Sequence, residues 1–211
     1  KNKKDFNNLL NVYLDATFFS RLDELDFLQE GHRLEFTELD NADSELQYKG
    51  VVFNEMKGAM SSTNSVLWQT LNKYLYPTTT YHYNSGGEPE NIPELSYVQL
   101  KEFYKSHYHP SNSVFMTFGD ITALEHQQTF EDLALSKFKK LDIKIEVGDE
   151  QRYNSPLRFE EPYAADNIEP DKTHVIIGWL LGQSTDLTEV FKAQLLSSVL
   201  LDNSASPLLK I

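Results

Sequence analysis

The sequence of 211 residues contains no cysteine. This absence excludes disulfide bonds, thiolate zinc sites, iron–sulfur clusters and a cysteine nucleophile, so any metal would have to be held by His, Asp or Glu. Long hydrophobic runs are missing too, since no apolar stretch approaches the roughly 20 residues that a membrane-spanning helix requires. The sequence therefore predicts a soluble protein, of the cytoplasm or an organelle matrix.

Positive charge is scarce. Nineteen Lys and Arg residues stand against 32 Asp and Glu residues, which gives a formal net charge of −13. A strongly acidic surface repels phosphate backbones and anionic lipid headgroups, so a broad nucleic-acid or membrane interface is excluded. Cationic partners are favoured instead. With 40% hydrophobic residues, the chain can build the core of one large domain, or of one domain and part of another.

Neither an initiator methionine nor the apolar core of a signal peptide opens the chain, which begins at Lys1. The last residues, up to Ile211, continue an amphipathic pattern rather than forming a polar tail. We therefore expect a piece of a longer protein.

The spacing of apolar residues predicts an alternation of helices and strands. Helices are expected at residues 5–19, 22–29, 48–62, 65–75, 96–108, 121–138 and 187–201. Strands are expected at residues 32–39, 113–118 and 173–181. Charged residues and three prolines interrupt every period between residues 142 and 172, which predicts a linker there.

Glu55 is the most informative single residue. In the predicted helix 48–62 it lies four residues after Val51 and four before Ala59, within the apolar stripe. An ionised carboxylate that faces a core is costly unless it is paired, hydrogen-bonded or bound to a metal. Two interpretations stay open: a salt bridge to a Lys or Arg of a neighbouring element, or a metal ligand.

The histidines offer weaker candidates. His32 and Glu35 imitate the start of an H-x-x-E-H zinc motif, but Phe36 occupies the position of the second histidine. His107 and His109 lie two residues apart at a helix end, where we expect contacts with terminal carbonyl groups rather than with a metal. The pattern therefore favours structural roles for all of these side chains.

Residues 50–59 resemble a segment of a known family, and their sequence is Gly-Val-Val-Phe-Asn-Glu-Met-Lys-Gly-Ala. This segment resembles the one that carries the distal zinc-binding glutamate in the presequence-protease subfamily of the pitrilysin/insulinase metallopeptidases. Further segments resemble the subfamily in the same order, so that the resemblance covers essentially the whole chain. They are residues 13–16, 27–31, 81–89, 108–112 and 200–208.

The resemblance implies an α+β fold, a two-layer sandwich of a mostly antiparallel sheet with helices on one face, as in mitochondrial processing peptidases. Residues 1–141 would form the latter part of the first, zinc-site peptidase unit. Residues 173–211 would begin a second homologous unit, with the linker region 142–172 between them. The rest of the polypeptide would supply the remaining domains.

The resemblance also implies a zinc-dependent metalloendopeptidase that degrades unfolded oligopeptides or targeting peptides in a closed chamber. Glu55 matches the third protein ligand of the Zn²⁺ ion, beside two histidines and a water. Because targeting peptides are basic, the acidic charge of the chain would suit them as substrates.

The chain departs from the family pattern in one large respect, because no H-x-x-E-H motif occurs in it. Two zinc ligands and the general base would have to lie elsewhere, so we expect the isolated chain to be inactive. Two alternatives follow. The chain could belong to a metal-free scaffold of the same family, or to an unrelated peptide-binding α+β protein in which Glu55 makes a salt bridge.

Overall fold

The computed structural model describes residues 2–143, 145–164, 172–202 and 204–209. The chain divides into two compact units. The first unit comprises Lys1–Gly58 and Gly86–Glu146, and the second comprises Ala59–Ser85 and Val147–Ile211. The predicted linker 142–172 lies partly outside the described residues, and the boundary between homologous units stays a prediction.

Helices dominate the described residues, as the apolar spacing predicts. They are α1 (Lys3–Phe18), α2 (Glu24–Asp26), α3 (Val51–Ala59), α4 (Thr63–Leu75), α5 (Tyr97–His107), α6 (Ala123–Leu133) and α7 (Leu187–Leu201). A π-helical turn, Phe27–Gly31, continues α2. Single 3₁₀ turns lie at Thr80–His82, Ile92–Glu94, Pro110–Asn112, Leu135–Lys137 and Pro207–Leu209. None of the described helices is long and apolar enough to cross a membrane.

Side-chain caps fix where the later helices begin. The Ser96 side chain accepts the N–H of Gln99, whose side chain reaches back to the Ser96 backbone, and this capping box confirms the predicted start of α5. A second capping box begins α6. At α7, Asp186 accepts the N–H groups of Thr188 and Glu189 at 2.9 and 3.1 Å. Each cap satisfies N–H groups that have no partner within the helix.

A two-stranded antiparallel sheet precedes α3. Strand β1 (Arg33–Phe36) pairs with β2 (Leu46–Lys49), with Arg33 opposite Lys49 and Phe36 opposite Leu46. The prediction that a helix begins at residue 48 is therefore wrong, because pairing with β1 holds residues 46–49 extended. The chain passes directly from β2 through Gly50 into α3.

The core of the first unit lies between α1 and α6. Leu14 and Phe18 of α1 are buried against Phe130 of α6 and Ala134, which follows it. Phe115 covers this cluster, with its ring centroid 4.7 Å from that of Phe130. We call these five residues the aromatic core.

The segments predicted as strands at 113–118 and 173–181 are not strands in this structure. In the first of them Phe115 faces the aromatic core, whereas Val114, Met116 and Phe118 are 97%, 91% and 101% exposed. The two-residue alternation of a half-buried strand is thus present at residues 113–116, and it ends at Thr117, which is exposed like Phe118. A strand also requires a hydrogen-bonded neighbour, and no described strand lies beside either segment.

In the second unit, the extended segment 147–164 lies along the end of α4. The carboxylate of Glu150 accepts four hydrogen bonds, from the N–H and hydroxyl groups of Thr78 at 2.8 Å, from the N–H of Thr79 at 3.1 Å and from the N–H of Gln151 at 2.8 Å. The ring of Phe159 stacks on that of Tyr74 with centroids 3.8 Å apart. Side chains therefore hold this segment in place without regular secondary structure.

Candidate metal-ligand site

Glu55 lies on α3 and is exposed to solvent. Its neighbours on the predicted apolar stripe are exposed as well, Val51 by 43% and Val52 by 37%. The prediction that Glu55 faces a core is therefore wrong for the described residues. The physical reason is that the described residues leave Glu55, Val51 and Val52 uncovered, whereas Met56 on the same helix lies against Gly86.

The carboxylate of Glu55 makes no hydrogen bond or ion pair with the part of the chain that the structure describes. The salt-bridge interpretation therefore finds no Lys or Arg partner there. An exposed carboxylate needs none, so burial no longer argues for a metal. What favours a metal instead is the availability of both oxygens, which are a donor type that Zn²⁺ accepts.

Glu55 can supply one ligand of a metal ion and no more. Among residues 2–143, 145–164, 172–202 and 204–209, no three His, Asp or Glu side chains converge to hold a metal ion. A catalytic zinc centre has about three protein ligands and a water. The other ligands of such a centre would have to come from outside the described residues.

His32 and Glu35, which imitate the start of an H-x-x-E-H motif, have structural roles, as the sequence predicts. The Nε2 atom of His32 donates to the carbonyl of Leu95 at 2.7 Å, and the ring lies edge-on to Phe27. Glu35 pairs with Arg33 at 2.6 Å and, across the sheet, with Lys49 at 2.7 Å. Hydrogen bonds from Lys49 and Arg33 lower the pKa of Glu35, because both stabilise the ionised carboxylate.

His107 and His109 do not form a metal-binding pair. The Nδ1 atom of His107 donates to the carbonyl of Phe103 at 3.0 Å in the last turn of α5, which confirms the predicted helix-end contact. His109 is buried, and its Nδ1 atom accepts the N–H of Ser111 at 3.1 Å. The lone pair that a metal would use on His109 is therefore occupied.

Sequence reasoning missed a convergence of glycines around α3. Gly50 lies against Gly31, and Gly86 lies against Met56, the residue after Glu55. These residues belong to three of the segments that resemble the family, 27–31, 50–59 and 81–89. The only sequence signal was the presence of glycine in each of them, since nothing in the spacing reveals contacts between distant parts of a chain.

Comparison with known proteins gives a consistent result. A family model described as "Peptidase M16 inactive domain" matches residues 94–211, a range that does not include Glu55. A protein named "Presequence protease, mitochondrial" from Xenopus tropicalis is 46% identical over 213 residues, covering 100% of the chain and 21% of that relative.

Proteins of the same name from Mus musculus and Yarrowia lipolytica are 43% and 38% identical, over 100% and 98% of the chain. They too are covered over 21% of their own length, so the chain spans about a fifth of the curated relatives that it matches. The likeness runs along the whole chain, as the separate segments indicate. The chain therefore belongs to the M16, or pitrilysin, family of peptidases, within its presequence-protease subfamily.

Proposed function

We propose that the chain is part of a longer zinc-dependent metalloendopeptidase in which Glu55 is one of the protein ligands of a catalytic Zn²⁺ ion. The observation that carries this proposal is the exposed carboxylate of Glu55, which makes no ion pair with the described residues and lies in the segment that resembles the zinc-ligand segment of the family. The chain covers 21% of its relatives, which leaves most of the polypeptide to supply the two histidines and the base.

The part of this chain in the reaction is to hold and orient one ligand. A zinc ion bound there would polarise a water and the substrate carbonyl. Glu55 would contribute a negatively charged oxygen from a helix, which is a more rigid support than a loop. The solvent-exposed face of α3 would then be covered by the domain that carries the histidines.

Replacing Glu55 with glutamine in the longer polypeptide tests this role. The neutral amide is a poor zinc ligand, so we expect zinc affinity to fall by at least the about 100-fold that loss of an outer-shell partner can cost, and peptidase activity to fall with it. Affinity can be measured by competition with a chromophoric chelator. Glu45→Gln is a matched control, because Glu45 is also exposed and its carboxylate has no ion pair within the described residues.

Zinc affinity and activity that survive Glu55→Gln would remove Glu55 from the metal site. A wild-type polypeptide that binds no zinc at all would instead favour the metal-free scaffold.

We also propose that the substrates are unfolded, basic peptides, because the chain carries a net charge of −13. Salt screens such an attraction, with a Debye length of about 10 Å at 0.1 M. Raising the salt concentration should therefore lower kcat/KM for a basic peptide more steeply than for a neutral peptide of the same length. Equal salt dependence for the two peptides would contradict the charge argument.

The remaining expectations from the family follow the same proposal. The two-layer sandwich would need further strands beside β1 and β2, and the alternating exposure of residues 113–116 is what a strand packed on one face shows. The relatives are named mitochondrial, so we propose an organelle matrix, which subcellular fractionation would test.

A further inference from the structure

We propose that Gly50 and Gly86 are positioning residues for Glu55. In this proposal, α3 holds the Glu55 carboxylate at the metal only because neither glycine carries a side chain. The inference rests on the proposed role of Glu55 as a zinc ligand. It assigns a function to two residues that touch neither metal nor substrate.

Gly50 is in contact with backbone atoms. A Cβ atom at this position would lie 2.0 Å from the carbonyl oxygen of Gly31, 2.6 Å from its carbonyl carbon and 2.9 Å from the Cα atom of His32. Its φ lies outside the left-handed region, so the obstacle to a side chain is steric rather than conformational. Backbone atoms cannot rotate away as the end of a side chain can, so the start of α3 would have to move.

Gly86 is in contact with the residue next to Glu55. A Cβ atom at Gly86 would lie 2.1 Å from the Sδ atom of Met56 and 2.9 Å from its Cε atom. Methionine is flexible, so part of this overlap can be relieved by rotation of its side chain. The rest would push α3 away from the turn that carries Gly86.

The size of these overlaps decides their effect on a metal site. To bring the contact at Gly50 from 2.0 Å to an acceptable distance of 3.0 Å, the helix start must shift by about 1 Å. Functional groups must be held within about 0.5 Å of their productive geometry. Glu55 lies about 6 Å along the helix axis from Val51, its first residue, at about 1.5 Å per residue. A shift of the helix start is therefore transmitted to Glu55.

Gly58 provides a matched control on the same helix. It lies three residues after Glu55, and a Cβ atom there would meet nothing within 4 Å. Gly58→Ala should therefore leave the position of α3 unchanged while adding helix propensity. Any effect that Gly58→Ala shared with Gly50→Ala would come from the loss of glycine and not from the contact.

The experiment compares zinc affinity in the longer polypeptide, by chelator competition, for Gly50→Ala, Gly86→Ala and Gly58→Ala. Circular dichroism confirms that each variant is folded. We expect Gly50→Ala to weaken zinc binding about 10- to 100-fold, as loss of an outer-shell support does, with Gly58→Ala at the wild-type value. Gly86→Ala should weaken binding less, and adding Met56→Ala should restore the affinity of Met56→Ala alone.

The outcomes separate this proposal from the one on which it rests. If Glu55→Gln retains zinc, both proposals are overturned. If Glu55→Gln loses zinc while both glycine variants bind as the wild type does, only the positioning role is overturned. If Gly50→Ala does not fold, the Gly86 and Met56 pair decides, since a loss of affinity that Met56→Ala fails to reverse would refute the contact mechanism.

Discussion

An isolated polypeptide of residues 1–211 is expected to hydrolyse no peptide and to retain no zinc through gel filtration in metal-buffered solution. The reason is the ligand count. Glu55 supplies one carboxylate, no three metal-ligating side chains converge among the described residues, and no H-x-x-E-H motif occurs in the sequence. One exposed carboxylate binds a divalent ion too weakly to retain it.

The matched experiment assays the longer polypeptide at the same molar concentration, with the same basic and neutral peptides. Peptidase activity of the isolated chain that a chelator abolishes and zinc restores would contradict the expectation. It would mean that this fifth of the relatives' length contains a complete site.

Phe130→Ala is expected to have the largest effect on stability. Phe130 is 8% exposed and packs in the aromatic core against Phe18 and Phe115. Removing a buried phenylalanine side chain costs about 3–5 kcal/mol, because both transfer energy and a cavity are involved. Hydrogen exchange in the longer polypeptide should show the free energy of opening of α1 and α6 lowered by that amount.

Leu124→Ala serves as the control for Phe130→Ala, because Leu124 lies on the same helix and is 74% exposed. Its effect should stay within about 0.5 kcal/mol, as is usual for surface positions. A loss below about 1 kcal/mol for Phe130→Ala would show that the aromatic core collapses to fill the space.

The helices could be predicted from the sequence because their signals are local. The apolar spacing and the capping box at Ser96 lie within a few residues of the helix that they define. The strand at Leu46–Lys49 could not be separated from the helix that follows it, since pairing with β1 decides its conformation. The segment 113–118 also depends on pairing with a distant strand, because residues 113–116 alternate in exposure as a strand does but have no hydrogen-bonded strand beside them among the described residues.

The candidate site, too, could be predicted from the sequence only in part. The location of Glu55 on a helix follows from its own neighbours in the sequence. Its burial does not, because burial depends on what covers the helix at that position, and the described residues leave Glu55 exposed. The contact between Gly50 and Gly31 joins residues on opposite sides of the β1–β2 hairpin. No periodicity within either segment contains information about that distance.

The exposure of Glu55 has a thermodynamic consequence for the proposed enzyme. A zinc ion that shares ligands between this exposed helix face and another domain links metal binding to the docking of the two parts. The free energy by which docking strengthens zinc binding equals the free energy by which zinc strengthens docking. Removing zinc with a chelator would then weaken the closure of the peptidase by that same amount, so the ion would act as a reversible cross-link as well as a catalyst.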